Sequence, residues 1–422
     1  MAESAGPPTN PSGRTGVSAV TGPLSLTVLL QSMTAFGLHS ASVYAPIAAP
    51  ALGLPPERVS VFVMFAYGAA SLVGLGCSGL IARFGPLRTV QIALLAPALG
   101  LLCAAVGWWP LLFVAAVLIG SGNGFTGPVS SHILVERTPR AVLSLVLSIK
   151  QTGVPIGGGI AGALIPLMAL TIGWRESLVV AAAVYVVCLI ALQPLRNQYD
   201  QKRDRSIRIG VADTVRQMKS ALKLTWEHPR LRVLSLACFA YVAVQWVVLT
   251  FMVSLLHTRL GYSLVTAGLV FSAAQLTGIP GRLLWGVLGD RVRSPMALLG
   301  WLGLVMAILA AVIGSWNTSW SLEWIIVVSI LFGITGVSWN GLFFAEVARN
   351  VRFEDVSRAT GGGQFIGFLG GMLGPVVFDA IATVSSSYQV AYTAIAVLPF
   401  VAGITLLMRA RRVRSSQPKD SS

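Results

Sequence analysis

Arg282, Lys150 and His39 each interrupt an apolar run long enough to form a membrane-crossing helix. An ionisable group at that depth costs several kcal/mol unless it faces a cavity or a partner. Arg282 precedes Asp290 by eight residues, which sets it about 12 Å of helix from the polar boundary. Lys150 follows Arg140 by ten residues, about 15 Å of helix. A guanidinium and an ammonium near mid-membrane suit an anion, which the guanidinium grips through two parallel N–H bonds. His39 carries the one midspan side-chain type that titrates near neutrality, so it is the expected carrier if a coupling proton moves with the anion.

Amides and aromatics surround these three along the sequence. Gln31, Tyr67, Asn123, Gln151, Gln245, Gln275, Trp339, Asn340 and Gln364 all fall inside apolar runs and are candidates for lining a central cavity. Acidic residues do not occur at mid-depth: Glu136 and Glu346 stand near one end of their runs and Asp379 near the opposite end. Cations without matching carboxylates favour an anionic small molecule. Every one of these residues also has a structural reading. Arginine is held by carbonyls or snorkels, lysine snorkels, and a lone histidine or glutamine is a hydrogen-bonded packing residue.

Other chemistries lack their residues. His39, His132, His228 and His257 are scattered without metal-ligand spacing, and no nucleophile stands beside a base, so neither an intramembrane enzyme nor a bound metal is expected. No cofactor is expected either. Gly120-Ser-Gly122-Asn-Gly124 sits within an apolar run instead of following a strand, so it is no dinucleotide fingerprint. The four cysteines all lie in apolar runs with no paired motif. A non-transporting sensor would need a signalling domain, for which twelve spans in 422 residues leave no room.

The elements that must position these side chains are long helices. Hydrophobic residues make up 55% of the chain and charged residues 11%, too apolar for a water-soluble core. Runs near the ~20 residues needed to cross the hydrocarbon recur twelve times. They fall near 25–48, 57–81, 88–107, 110–134, 141–168 and 175–194, then 231–256, 264–288, 296–316, 322–345, 358–384 and 389–408. The expected fold is an all-α membrane protein of twelve transmembrane helices. The expected division is a disordered tail (1–23), a six-helix bundle (24–195), a linker (196–230), a second six-helix bundle (231–408) and a tail (409–422). Within the linker, Val211, Val215, Met218 and Leu222 recur at helical spacing opposite Arg216, Lys219 and Lys223, which predicts an amphipathic helix at the membrane surface.

The net charge of +15 is explained by its placement. With both termini on one side, that side collects 25 of the 30 basic residues. The positive-inside rule then puts both termini in the cytosol, and no nucleic acid is needed to account for the charge. The first span is too long for a cleaved signal and is expected to be retained. Internal repetition supports the count of spans. Gly120 and Gly333, Gln151 and Gln364, and Gly157-Gly158 and Gly370-Gly371 are all related by the same offset of 213 residues.

Gly286-Val-Leu-Gly-Asp290-Arg291 resembles the G-x-x-x-D-R signature of the major facilitator superfamily, and the likeness extends over the whole apolar chain. It implies two pseudo-symmetric six-helix bundles. It also implies a gate in which Asp290, with Gly286 and Arg291, pairs with cationic and helix-end groups of a neighbouring span. The first copy, around Arg83 and Arg88, has Ala82 where the signature has Asp, which puts an acidic latch there in doubt; topology-setting charge is the alternative. Gly153-Val-Pro155-Ile-Gly157-Gly158 is similar to the glycine-proline motif of proton-linked antiporters, although its small-residue spacing also suits close helix packing. Arg282 is placed like the eighth-span arginine of monocarboxylate, oxalate-formate and nitrate porters.

The resemblance implies a secondary transporter of a small organic anion, a monocarboxylate above all, acting by alternating access. Its substrate-binding residues are expected to be Arg282, Lys150, His39, Gln151, Gln275, Tyr67, Gln245, Asn340, Trp339 and Gln364. An inorganic-anion porter of the nitrate or cyanate kind and a drug or metabolite efflux antiporter are the alternatives. Nitrate is disfavoured because Gly74 stands where those porters carry a second arginine. The expected setting is the lipid bilayer of the inner or plasma membrane, multi-pass, as a monomer.

Overall fold

Hydrocarbon offers backbone N–H and C=O groups no partner, so an apolar run must satisfy them within itself. The computed structural model describes residues 17–201, 203, 204, 206, 211–352 and 355–415, and among these there are helices and no strand. Span 1 is Val17–Ala51, span 3 Pro86–Ala105, span 4 Trp109–Arg137 and span 6 Trp174–Ala191. Span 7 is Pro229–Ser254, span 9 Pro295–Gly314, span 11 Val356–Ser385 and span 12 Tyr388–Ser415. The other four are interrupted. Span 2 is Val59–Gly76 then Ser78–Phe84, span 5 Arg140–Gln151 then Gly153–Ile172, span 8 Leu264–Leu276 then Gly278–Arg291, and span 10 Leu322–Gly336 then Asn340–Arg349. Eleven helical runs are long and apolar enough to cross a membrane. Span 1, 35 residues with Pro23, Pro46 and Pro50 inside it, packs among them as the twelfth.

Two expectations need adjustment. Span 1 is already helical at Val17, so the tail expected over 1–23 is helical in its last seven residues, and residues 1–16 lie outside the described part. The extension is held by apolar contact: Val20 packs with Leu134 and Val146, and Leu24 and Leu147 border them. The second adjustment concerns the breaks, which the hydropathy pattern does not show. Spans 5 and 8 break at Thr152 and Thr277, just ahead of Pro155 and Pro280. A proline has no N–H to give to the carbonyl four residues earlier, so the ladder is cut there.

The linker contains a helix, Val211–Glu227, with Arg216, Lys219 and Lys223 exposed. Its packed stripe is Ala221 and Thr225, against which Gly362 of span 11 lies so closely that a Cβ there would collide. The remaining described linker residues are helical turns and loop.

The repeat is visible in what the glycines touch. Gly120 of span 4 lies on the Ala66 backbone of span 2, and Gly333 of span 10 lies on the Ala274 backbone of span 8. Gly157 of span 5 lies on Ser32 of span 1, as Gly370 of span 11 does on Phe239 of span 7. Their neighbours face the other half: Gly158 lies against Gln275 of span 8, and Gly371 against the ring of Tyr67 of span 2. Without a hydrophobic force between helices in lipid, such close backbone approach is what drives their packing. The two halves are therefore pseudo-symmetric, and each presents its second and fifth spans to the other.

Candidate functional site

Span 5 and span 8 meet at two levels, and the expected site residues divide between them. At the level nearer the arginine-rich end, Arg282 donates through Nη1 to the main-chain carbonyl of Gln151 in the opposite half. That carbonyl is available because Pro155 cannot serve as its helical donor. Nη2 donates to the Val337 carbonyl, 3.3 Å away, where the first segment of span 10 ends. The last carbonyls of a helix have no intrahelical partner. Arg282 Nε is buried and unpaired. Lys150 is 4% exposed and within electrostatic reach of Arg282. Gln31 of span 1 packs its Cβ against Gly153 at this level and leaves Oε1 buried without a partner.

Two helical turns further along both spans is the second level. Gln275, seven residues before Arg282, fills the space that Gly158, seven residues after Gln151, leaves open. Gln275 Nε2 is 2.8 Å from His39 Nε2 of span 1. The imidazole is stacked on Trp246 of span 7 at 4.8 Å and 6°, with the edge of Phe271 against it. Tyr67 closes on Trp246 and on Phe368. Behind this layer, Trp339 Nε1 donates to Gln245 Oε1 at 3.1 Å.

The structure therefore brings Arg282, Lys150 and Gln151 together, and His39, Gln275 and Tyr67 together, with Gln245 and Trp339 paired close behind. Asn340 begins the second segment of span 10 and has a buried, unpaired Oδ1. Gln364 is half-buried on span 11, and among the described residues no hydrogen bond joins it to either level. The Gln151 side chain is not what Arg282 holds; the main chain is.

From Arg282 to the end remote from the arginines, bonds join the halves in a ladder. Ser272 Oγ donates to the Gly159 carbonyl at 2.7 Å, and Gly162 and Gly268 meet backbone to backbone. Ser60 donates to Asp379 at 2.9 Å. Tyr388 donates to Glu57 at 2.9 Å, and Arg259 stands 3.8 Å from the same carboxylate. One turn beyond Arg282 in the other direction, Gly286 faces open space, and so do Gly127, Gly341 and Gly361, as do Gly53 and Gly261 in the turns at the remote end.

At the arginine-rich end, Asp290 accepts from Arg349 Nη2 at 2.9 Å, joining the end of span 8 to the end of span 10. Arg291 beside it is exposed. Arg83 lies over the Phe84 ring, and Arg88 donates to Gln91. Where Ala82 replaces the acid, the sequence reading missed a carboxylate supplied from elsewhere. Buried Asp200, after span 6, accepts from the backbone N–H of Leu87 at 2.7 Å and of Arg88 at 3.2 Å. It sits against Gly85, whose φ of 92° and lack of a Cβ make room for it. A carboxylate at the first turn of span 3 satisfies orphan donors and the helix dipole. The available signal was a lone Asp closing the polar run Arg196-Asn-Gln-Tyr-Asp200.

Two similar six-helix halves enclosing buried cations at their interface define a polytopic membrane transporter. The chain belongs to the Major Facilitator Superfamily, whose profile matches residues 25–375. It is 24% identical over 378 residues to the probable sulfoacetate transporter SauU of Cupriavidus necator, covering 83% of this chain and 84% of that protein. It is 23% identical over 384 residues to a hexuronate transporter of Bacillus subtilis, covering 85% and 89%. Its fold is similar to that of a bacterial homologue of the human lysosomal transporter Spinster in an inward-facing, occupied conformation. There the TM-score is 0.72 at 14% identity, covering 96% of this chain and all of that one.

Proposed function

We propose that the protein is a secondary transporter of a small organic anion, with the anion's charged end taken by Arg282 and assisted by Lys150. The observation that carries this reading is a guanidinium between the halves whose only bonds among the described residues are to two main-chain carbonyls, with Nε buried and unpaired. Neutral carbonyls leave its charge uncompensated, and a carboxylate would supply both the charge and the bidentate geometry that they lack. The names of the two relatives, a sulfoacetate and a hexuronate transporter, fit an organic acid. A monocarboxylate is the simplest such substrate.

The ladder supports alternating access. With the arginine-rich end in the cytosol, the bonds from Arg282 to Glu57 close the outer side, and the open space beyond Arg282 faces inward. Exchange of these two arrangements would carry the anion across, with Asp290 and Arg349 bracing the inner end. The setting is the plasma or inner membrane with both termini cytosolic.

The test is uptake of labelled organic acids, among them lactate, sulfoacetate and glucuronate, into proteoliposomes. Arg282→Lys should reduce uptake at least a hundredfold without loss of protein from the membrane, because an ammonium cannot reproduce the guanidinium fork. Uptake at the wild-type rate in that variant would remove Arg282 from the substrate site.

A further inference from the structure

The second level, two turns from Arg282, is polar in a way that packing alone does not account for. Buried polar atoms in proteins are nearly always hydrogen-bonded, and each one left unpaired is costly. His39 is 1% exposed and Gln275 is fully buried, yet His39 Nδ1 and Gln275 Oε1 both lack a partner. Their single mutual bond satisfies one atom of each.

The kind of group that would complete the pair follows from their donor and acceptor inventory. A neutral imidazole has one donor and one acceptor nitrogen, and a carboxamide has a donor NH₂ and an acceptor oxygen. If the Gln275 NH₂ donates to Nε2, the atoms left over are a donor, Nδ1–H, and an acceptor, Oε1. If the amide is turned so that its oxygen accepts from Nε2–H, the leftovers are an acceptor, Nδ1, and a donor, NH₂. Both arrangements leave one donor and one acceptor. A hydroxyl, which can donate and accept, can pair with either one of the two leftover atoms in either arrangement. A methyl or methylene pairs with neither.

The placement relative to the charged level is fixed by the helices. Gln275 and Arg282 are seven residues apart on span 8, so they share a face about 10 Å apart along the axis. The helical bonds Thr277 N–H to Ala273 and Gly281 N–H to Thr277 keep that register through the break. Span 5 repeats the spacing with Gln151 and Gly158, and span 1 places Gln31 at the charged level and His39, eight residues on, at the second. Gln31 Oε1, also unpaired, adds a further acceptor at the lower level.

We infer that the transported anion is a hydroxy acid, whose carboxylate is held at Arg282 and whose distal hydroxyl bonds to one of the atoms that the His39–Gln275 pair leaves open; this rests on the organic-anion reading given above. A simple alkyl monocarboxylate would leave the pair unsatisfied. A site built around a hydroxyl discriminates strongly against the analogue without it.

The test uses the purified full-length chain in detergent and isothermal titration calorimetry with matched acids: 4-hydroxybutyrate, 5-hydroxypentanoate and 6-hydroxyhexanoate against butyrate, pentanoate and hexanoate. At one chain length the hydroxy acid should bind at least tenfold more tightly than its parent. Gln275→Leu should reduce that preference to about twofold or less while the parent acid still binds. His39→Phe, which keeps a flat ring on Trp246, should do the same and serves should Gln275→Leu fail to fold. Arg282→Lys should lose both acids. Equal binding of each pair, with both acids lost in Arg282→Lys, would overturn the hydroxyl assignment and leave the organic-anion reading standing. A preference that survives both Gln275→Leu and His39→Phe would overturn it as well. No binding of any of the acids by the wild-type chain would overturn both.

Discussion

Lys150 and Arg282 are two cations from opposite halves within reach of each other in a buried setting, with no carboxylate among the described residues bonded to either. Like charges so placed repel, and the repulsion is relieved when an anion arrives between them. Lys150→Met should therefore weaken anion binding about tenfold while raising the thermal stability of the empty protein, since a buried charge is exchanged for an apolar chain of similar length. Calorimetry and a thermal melt of the same preparation check both; lower stability with unchanged affinity would make Lys150 a structural residue. The cations themselves were legible in the sequence, because a charge in an apolar run is conspicuous. What Arg282 touches was not. Its acceptors are main-chain carbonyls, freed by Pro155 on one span and by a helix end on another, and carbonyls carry no letter in the sequence. Asp200 was missed for a related reason: its partners are N–H groups in the first turn of span 3, more than a hundred residues away.

At the scale of elements, long uncharged runs located the spans; eleven of them are apolar enough to cross a membrane, and the first is placed among them by its packing. Hydropathy could not locate the breaks, where composition stays apolar and only proline and local packing change. The pairing of spans across the halves was equally invisible, although the glycines that permit it stood in plain view with their common offset. Spans 2 and 11 are joined at their remote ends by Ser60 and Asp379, with Glu57 and Arg58 also acting on the Asp379 carboxylate and Thr383 bonding to it. Arg259 and Tyr388 face Glu57 in turn. Protonating Asp379 takes away its charge and weakens it as an acceptor, so acid on that side should loosen the contact and raise access to the interface behind it. A cysteine at Met372, which packs against Gly68 across the halves, reports this access. In a background without the native cysteines, its labelling by an impermeant maleimide should rise several-fold from pH 7.5 to pH 5 and lose most of that rise in Asp379→Asn. A slope unchanged in the variant would remove Asp379 from the effect.

Across the whole molecule, the balance of 25 basic residues on one side fixed the orientation expected from the sequence, and the repeat fixed the number of halves. The shape of their joint came only from the structure. Gly158 receives Gln275 of the second half, and Gly371 receives Tyr67 of the first. The joint is thus built like a homodimer seam, in which the same patch is used twice about a twofold axis. Such a seam does not depend on a covalent tether. Two separately translated polypeptides, one ending at residue 206 and one starting at residue 207, should find each other in the bilayer, co-purify through a tag on either one, and restore uptake to a substantial fraction of that of the intact chain. Fragments that insert stably yet fail to co-purify would show that the linker does more than connect. If they do associate, the molecule behaves as a complex of two subunits that happen to share a gene.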